Sequence, residues 1–341
     1  MNKWYDKAGK NDDVVLSSRI RLARNFSDYC FADRMEQEDA VHMVNNVVGQ
    51  FQRDYPEEYS CIFMNNCSEN KQKALKERRQ VSQAMVQGKN GAVLLSKDEA
   101  AAIMLNAEDH VRIQVLANGM NLASCYKRAN EIDDYIDAHF DYAFDERYGY
   151  KTTFPTNVGT GMRAGYTLHL PGLSEAKRIS QISTELGRFG MKLKMLYGDD
   201  TGYGNLYQIA TQKTLGQDET EIMADLNDIV SQIINQEREQ RQYLYEKDKI
   251  RMEDAVYKSY GVLKYARKIP LRDAMTLISE MMLGNSLGII TIDHSKKFSV
   301  NKMIMDIQPA VLNNAGNRAM SVDEIDILRA QYIRNNCPDI I

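Results

Sequence analysis

Apolar positions repeat every second residue in some stretches of the chain and every third or fourth in others. In residues 14–25, VVLSSRIRLARN, a short apolar run leads into Ile20 and Leu22 alternating with Arg19 and Arg21. A period of two predicts a strand with one buried face, which sends both guanidinium groups to the other face. Residues 36–53 carry Ala40, Met43, Val44, Val47, Val48 and Phe51 at helical spacing, an amphipathic helix with a core stripe. Residues 65–89 are polar and predict a loop or an exposed helix. A strand is expected at 91–95, a short element at 98–105, and a second strand at 106–116, NAEDHVRIQVL. In strand geometry Glu108, His110 and Arg112 would share one face within about 14 Å. Residues 121–140 return to helical spacing.

Residues 152–173, TTFPTNVGTGMRAGYTLHLPGL, organise the remainder. Pro155, Gly159 and Gly161 predict a tight turn, and Arg163 stands at the mouth of a strand in which Tyr166, Leu168 and Leu170 alternate with Thr167 and His169. Peptide N–H groups in such a turn, beside a guanidinium that does not titrate, suit a phosphate. Ser174 is expected to cap a helix bearing Ile179, Ile182 and Leu186. Strands at 192–197 and 205–212 then flank a glycine-rich connection, GDDTGYG, suited to a mobile lid. Asp218 with Glu221 predicts a capping box for a long helix. The chain beyond it reads as helices, so we place a boundary near residue 240, with a mixed domain over 1–240 and an α-helical domain over 241–341.

Composition narrows the classes. The net charge is −4 with a pI near 5.8, which argues against a nucleic-acid partner. Five cysteines without C-x-x-C spacing point to a reducing cytoplasm and away from a zinc site. No apolar run reaches membrane-spanning length, and the polar start does not read as a signal peptide. The cations that matter are therefore local: Arg19, Arg21, Arg112, Arg163 and Lys194, all on expected strands. Converging cations suit a nucleoside triphosphate, because phosphoryl transfer depends on positioning and charge neutralisation. The carboxylates Glu108 and Asp199 suit a guanidinium acceptor, which a carboxylate can orient and relieve of a proton.

The stretches SSRIRLARN, NAEDHVRI, PTNVGTGMRA and GNLYQIATQKTLG resemble the phosphagen kinase family, ATP:guanidino phosphotransferases, and most of all its bacterial branch, the protein arginine kinases of the McsB type. The resemblance runs along almost the whole chain, including LGNSLGII at 283–290. It implies an α+β fold, with a mostly antiparallel sheet flanked by helices and a C-terminal all-α domain used for homodimerisation. It also implies ATP as donor, with Mg2+ bound mainly through the nucleotide and no metal site of the protein's own. By position, Ser17, Ser18, Arg19, Ile20, Arg21, Arg79, Arg112, Arg163, Ala164, Gly165, Tyr166, Thr167, Lys194, Met195, Leu196, Tyr197, Gly198 and Asp199 would surround the nucleotide. Glu108 and Asp199 would hold the arginine, with Arg163 beside the transferring group. Only sixteen residues precede Ser17. The helical domain with which small-substrate members of the family close their acceptor site is therefore not expected, and the site suits arginine on a protein better than free arginine. A protease or chaperone partner is also implied.

Some positions depart from the family pattern. Phe154 stands where the family has cysteine, Asp199 where it has glutamate, Lys194 where it has arginine, and Arg79 where it has an adenine-side histidine. The lid is one residue short. The phosphoarginine-sensing motif R-D-x-x-R-A reads here Ile325-Asp326-Ile327-Leu328-Arg329-Ala330, keeping Asp326 and Arg329. These changes leave a second expectation beside the kinase: a weakened, kinase-like adaptor that binds nucleotide or arginine-bearing proteins.

Overall fold

The central strand of the molecule, β1 (Val15–Arg24), is fixed by the alternation of its sequence: Ile20 and Leu22 are buried, while Arg19 and Arg21 lie on the opposite, half-open face. The computed structural model describes residues 2–6, 9–88, 90–197, 203–293, 298–315 and 319–341. After β1 come α1 (Gln37–Asp54), β2 (Tyr59–Phe63), α2 (Glu69–Glu77), α3 (Gln83–Gln87), β3 (Ala92–Ser96), β4 (Ala101–Leu105) and β5 (Val111–Asn118). Next are α4 (Leu122–Asp137), a small hairpin of β6 (Phe144–Asp145) and β7 (Gly149–Tyr150), and β8 (Met162–His169). Then follow α5 (Pro171–Glu175), α6 (Ile179–Arg188), β9 (Met191–Met195), β10 (Leu206–Thr211) and α7 (Glu219–Lys247). The remainder is helical: α8 (Lys249–Tyr265), α9 (Leu271–Ser286), α10 (Val300–Asp306), α11 (Pro309–Asn314) and α12 (Val322–Asn336).

The sheet order is β2-β3-β4-β5-β1-β8-β10-β9, and every neighbouring pair is antiparallel. The mostly antiparallel sheet and helical C-terminal region expected from the resemblance are therefore present. One sheet face is packed under α1, α4, α6 and α7 by Ile20, Leu22, Ile103, Ile113, Tyr166 and Ile209. A second core, built by α8, α9, α10 and α12, takes in Leu16 and Leu206 from the sheet. The expected boundary at residue 240 falls inside α7. There Glu237 and Arg241 form a buried ion pair at 2.6 Å, and Arg241 also donates to the carbonyl oxygens of Asp13 and His169 and to Ser286 of α9. This helix thus joins the sheet to the helical region.

Three local expectations are corrected. Glu108 and His110 lie in the turn before β5, so His110 does not share a face with Arg112. The His110 ring is buried, with Nδ1 accepting from the Phe26 amide at 3.0 Å and Nε2 donating to the Cys30 carbonyl at 2.8 Å. Ser174 does not cap α6; it sits inside α5 and donates to the Leu170 carbonyl at 2.6 Å. The glycines of the 155–161 turn serve close backbone approach in place of an anion cradle. A Cβ on Gly159 would meet the Thr214 carbonyl at 2.0 Å, and one on Gly161 would meet Arg24 Nη1 at 2.5 Å. The capping box of α7 is present as expected, Asp218 accepting from the Glu221 amide at 2.8 Å.

Candidate active site

Antiparallel register assembles the cationic face from distant parts of the chain. Arg21 stands opposite Gln114 on β5 and opposite Arg163 on β8; Ala23 stands opposite Arg112; Arg19 stands opposite Gly165. Directly paired residues project to the same side of a sheet, so Arg19, Arg21, Arg112 and Arg163 share one face. Ser17, Thr167, Gln208 and Lys194 form a row across β1, β8, β10 and β9 on that same face. Arg79 joins it from the end of α2, its Nη1 donating to Ser17 Oγ at 3.0 Å.

Alternation also sends some expected residues elsewhere. Ser18, Ile20, Ala164 and Tyr166 point into the core on the opposite face. Ser18 Oγ donates to the Gly119 carbonyl at 2.7 Å and accepts from the Asn121 amide at 2.6 Å. Their side chains therefore do not line the cleft. Gly165 is crowded by the neighbouring strand, since a Cβ there would meet the Ile209 carbonyl at 2.5 Å. Met195 is exposed, whereas Leu196 and Tyr197 pack on the C-terminal core. Gly198 and Asp199 lie outside the described residues. Lys194 is exposed on β9.

A cleft of about 210 Å³ opens on the cationic face, lined by Arg21, Glu108, Arg112, Phe154, Asn157 and Arg163 among others. Glu108 Oε1 accepts from Arg112 Nη1 at 2.6 Å, and Glu108 Oε2 accepts from Ser82 Oγ at 3.1 Å. Burial alone would raise the carboxyl pKa, but Arg112 and the hydrogen bonds outweigh it and hold Glu108 below the ordinary glutamate range. Arg163 is aimed by Asn157, Nε to Oδ1 at 2.9 Å, and by Thr156, Nη2 to Oγ1 at 3.2 Å. Burial, then repulsion from neighbouring guanidinium groups, pushes Arg19 and Arg21 well below the ordinary arginine range. An arginine does not deprotonate readily, so the cluster, offset only in part by Glu108 at Arg112, keeps a positive field suited to an anion.

A polyphosphate fits this field on a second ground. Arg21 Nε, Arg79 Nε and Nη2, Thr167 Oγ1 and Gln208 Nε2 are buried without a hydrogen-bond partner, and they belong to the same face. Buried polar atoms are rarely left unpaired, so their concentration here marks a surface built to be completed by a ligand.

Residues not anticipated from the sequence hold the Glu108 end of the cleft together. Asp109 Oδ1 accepts from Asn25 Nδ2 at 2.8 Å and from the Thr153 amide at 2.7 Å, while Asn25 Oδ1 accepts from the His110 amide at 2.9 Å. These bonds tie the end of β1, the Glu108 turn and the Phe154 segment into one unit. The signal in the sequence was faint: Asn25 follows the R-I-R run and Asp109 follows Glu108, each a polar residue where the strand pattern ends. Ser82, inside the polar 65–89 stretch, also caps α3 by accepting from the Met85 amide at 3.3 Å.

Residues 39–240 match the family profile described as ATP:guanido phosphotransferase, C-terminal catalytic domain. The chain belongs to the ATP:guanido phosphotransferase family. Residues 249–340 of this phosphotransferase match a second profile, Protein-arginine kinase McsB C-terminal domain. It is 38% identical over 338 residues to the protein-arginine kinase of Bacillus subtilis (strain 168), covering 98% of this chain and 93% of the relative. It is 38% identical over 343 residues to the protein-arginine kinase of Bacillus cereus (strain G9842), covering 98% and 95%. Among solved structures, lombricine kinase aligns with a TM-score of 0.59 at 18% identity over 69% of this chain and 72% of that one. The duplicated taurocyamine kinase of Schistosoma mansoni with bound transition state analog components aligns with a TM-score of 0.60 at 18% identity over 97% of this chain and 44% of that one. At that identity the structures establish the fold that the phosphotransferase shares with them.

In the C-terminal region Asp326 and Arg329 are buried. Arg329 is 1% exposed; it pairs with Asp326 and donates to the carbonyls of Ile307 at 2.9 Å and Ile269 at 3.0 Å. Its guanidinium is thus committed to holding α12 against its neighbours.

Proposed function

We infer that this chain is a protein-arginine kinase, transferring the γ-phosphoryl of ATP to arginine side chains of proteins. The observation that carries the inference is the placement of Glu108 on the rim of the arginine cluster: a carboxylate held ionised within 2.6 Å of a cation of the anion face. Arg19, Arg21, Arg79, Arg112 and Arg163 would hold the phosphates, with Ser17 and Thr167 at the far end of the same face. Bound ATP supplies the phosphoryl group and, with Mg2+ carried on its phosphates, the charge to be neutralised. We assign the ion to the nucleotide, as the family resemblance implies.

Glu108 can orient the acceptor because each carboxylate oxygen, after bonding Arg112 or Ser82, retains a second lone pair for a guanidinium N–H. That fixes the attacking nitrogen against the γ-phosphoryl; as the N–P bond forms, the bond from phosphorus to the bridging oxygen breaks to release ADP, and the nitrogen's proton passes to the carboxylate. We assign Asp199 as the second carboxylate; it lies outside the described residues. If its shorter side chain limits alignment, Asp199→Glu raises the rate; an unchanged or lower rate would mean that the shortened lid already compensates for the shorter side chain. Phe154, half-exposed at the cleft wall, offers a ring face to the incoming guanidinium.

We further propose a cytoplasmic homodimer joined through the 241–341 region. Ile250, Tyr257, Val262 and Tyr265 of α8 are exposed, an apolar surface that a second copy would cover, and all five cysteines are free thiols. No helix among the described residues is long and apolar enough to cross a membrane. A protease or chaperone working on the modified proteins is a further proposal from the family resemblance. The choice between protein-bound and free arginine is tested by offering radiolabelled ATP with either an arginine-rich unfolded protein or arginine itself. Acid-labile label on the protein supports our assignment; label on free arginine alone refutes it. The adaptor reading rests on Phe154, Lys194 and Asp199, and tight nucleotide binding without any transfer would favour it.

A further inference from the structure

The helical region reaches the catalytic sheet at the point where Arg79 meets Ser17. Arg78 Nη2 lies 2.5 Å from Asp306 Oδ1 at the end of α10. Asp306 in turn pairs with Lys302 and accepts from Tyr332 Oη of α12 at 2.6 Å. One residue before Arg78, Glu77 Oε2 accepts from the Val311 amide of α11 at 3.0 Å. One residue after it, Arg79 adopts a φ of 62° as the residue that closes α2, its amide donating to the Lys76 carbonyl at 2.8 Å and the Gln80 amide to the Leu75 carbonyl at 2.9 Å. That closed turn is anchored on both sides. The Arg79 carbonyl accepts from Gln114 Nε2 at 2.6 Å, and Glu77 and Arg78 are fastened to α11 and α10. Three consecutive residues therefore face two ways: Glu77 and Arg78 toward the helical region, Arg79 into the anion cleft. Close by, Asn301 of α10 donates to the Leu16 carbonyl and to Asn118 Oδ1, each at 2.7 Å, which fixes β1 one residue before Ser17.

We propose that Asp306 is a positioning residue for the nucleotide: by holding Arg78 it anchors the turn that closes α2 and carries Arg79, so that the C-terminal helices complete the anion cleft. This rests on assigning that cleft to ATP. Releasing Arg78 lets the turn that closes α2 move as a unit and withdraw the Arg79 guanidinium from Ser17. The loss falls on nucleotide affinity, because Glu108, Arg112 and Arg163 are held by separate bonds. Any shift of α10, α11 and α12 is thereby coupled to ATP binding, and ATP binding to those helices in return.

The test uses the full chain and a double-mutant cycle. ATP affinity is measured by titration calorimetry, and KM and kcat by transfer to an arginine-rich protein, for Asp306→Asn, Asp306→Glu, Arg79→Met and the Asp306→Asn/Arg79→Met double variant. We expect Asp306→Asn to weaken ATP binding about tenfold with kcat within about twofold, Asp306→Glu to recover part of the loss, and the double variant to bind no worse than Arg79→Met alone. Additive losses would overturn the proposal, as would a lowered melting temperature with unchanged KM for ATP. Arg78→Met, altered on the half-exposed side of the pair, should repeat the KM effect if Asp306→Asn folds poorly; an unchanged KM there also overturns it. Arg19→Met separates the two levels. If it abolishes ATP binding while Arg79→Met does not weaken it, the brace is wrong and the cleft assignment stands; if neither variant affects ATP binding, the cleft assignment itself has failed.

Discussion

Glu108 Oε1 and Arg112 Nη1 lie 2.6 Å apart, so the carboxylate assigned to the acceptor guanidine already touches a cation assigned to the phosphates. One ion pair thus spans the two substrates, and its geometry fixes the line along which a phosphoryl group would pass. Glu108→Gln keeps the shape and removes the charge. We expect it to lower transfer about a hundredfold or more while ATP binding, measured by calorimetry, stays within a few-fold. Equal losses in both would place Glu108 in the nucleotide site instead.

The pH dependence follows from the same pair. Arg112 and the hydrogen bonds depress the folded-state pKa of Glu108 below its unfolded value. Its contribution to stability is therefore present above the unfolded pKa and lost as pH falls through the folded one. Around neutrality it stays ionised, so the acidic limb of kcat against pH from this residue should lie below the ordinary glutamate range. An acidic limb near neutrality that disappears in Glu108→Gln would contradict this.

Crowded guanidinium groups should trade stability for binding. Arg19 and Arg21 are destabilised by burial and by their cationic neighbours. We expect Arg21→Met to raise the melting temperature without nucleotide and to abolish the further rise that MgATP gives the parent protein, a rise set by ligand concentration relative to Kd. Differential scanning calorimetry with and without MgATP measures both. A variant that melts lower and still responds to ATP would show that Arg21 serves packing.

Much of the fold was legible because alternation and helical spacing are local. Ile20 and Leu22 against Arg19 and Arg21 specified which face of β1 is buried, and the stripe from Ala40 to Phe51 specified α1. What failed was local geometry that only tertiary contact decides. His110 breaks the period of β5 because Phe26 and Cys30 claim its ring. Gly159 and Gly161 look like an anion cradle but exist for the Thr214 and Arg24 contacts. The resemblance named the stretches around the nucleotide, yet strand alternation excludes the side chains of Ser18, Ile20, Ala164 and Tyr166 from them. Ser82, Asn157 and Asp109 could not be singled out, since each acts through a partner many residues away or across a turn.

Arg24 shows how close a structural arginine can sit to functional ones. It follows Arg19 and Arg21 in sequence but is buried, paired with Asp133 at 2.6 Å and stacked 3.4 Å from the Tyr150 ring centroid. Arg24→Met leaves Asp133 buried and unpaired, and should cost roughly 3–5 kcal/mol. Urea unfolding measures it; a cost under about 1 kcal/mol would mean that Asp133 finds another partner.

Phe154 should act on the acceptor alone. A ring face beside a guanidinium contributes about 0.5–2 kcal/mol, so Phe154→Ala is expected to raise KM for an arginine-bearing protein several-fold and leave KM for ATP unchanged. A change confined to KM for ATP would remove Phe154 from the acceptor site.

The account stands or falls on whether this cationic face and its carboxylate phosphorylate arginine. The direct measurement is mass spectrometry at neutral pH of an arginine-rich, unfolded protein after incubation with MgATP and either the parent chain or Glu108→Gln. We expect acid-labile phosphate on arginine with the parent and none with the variant. Phosphate that persists with Glu108→Gln, or none with a parent chain that binds ATP, would contradict it.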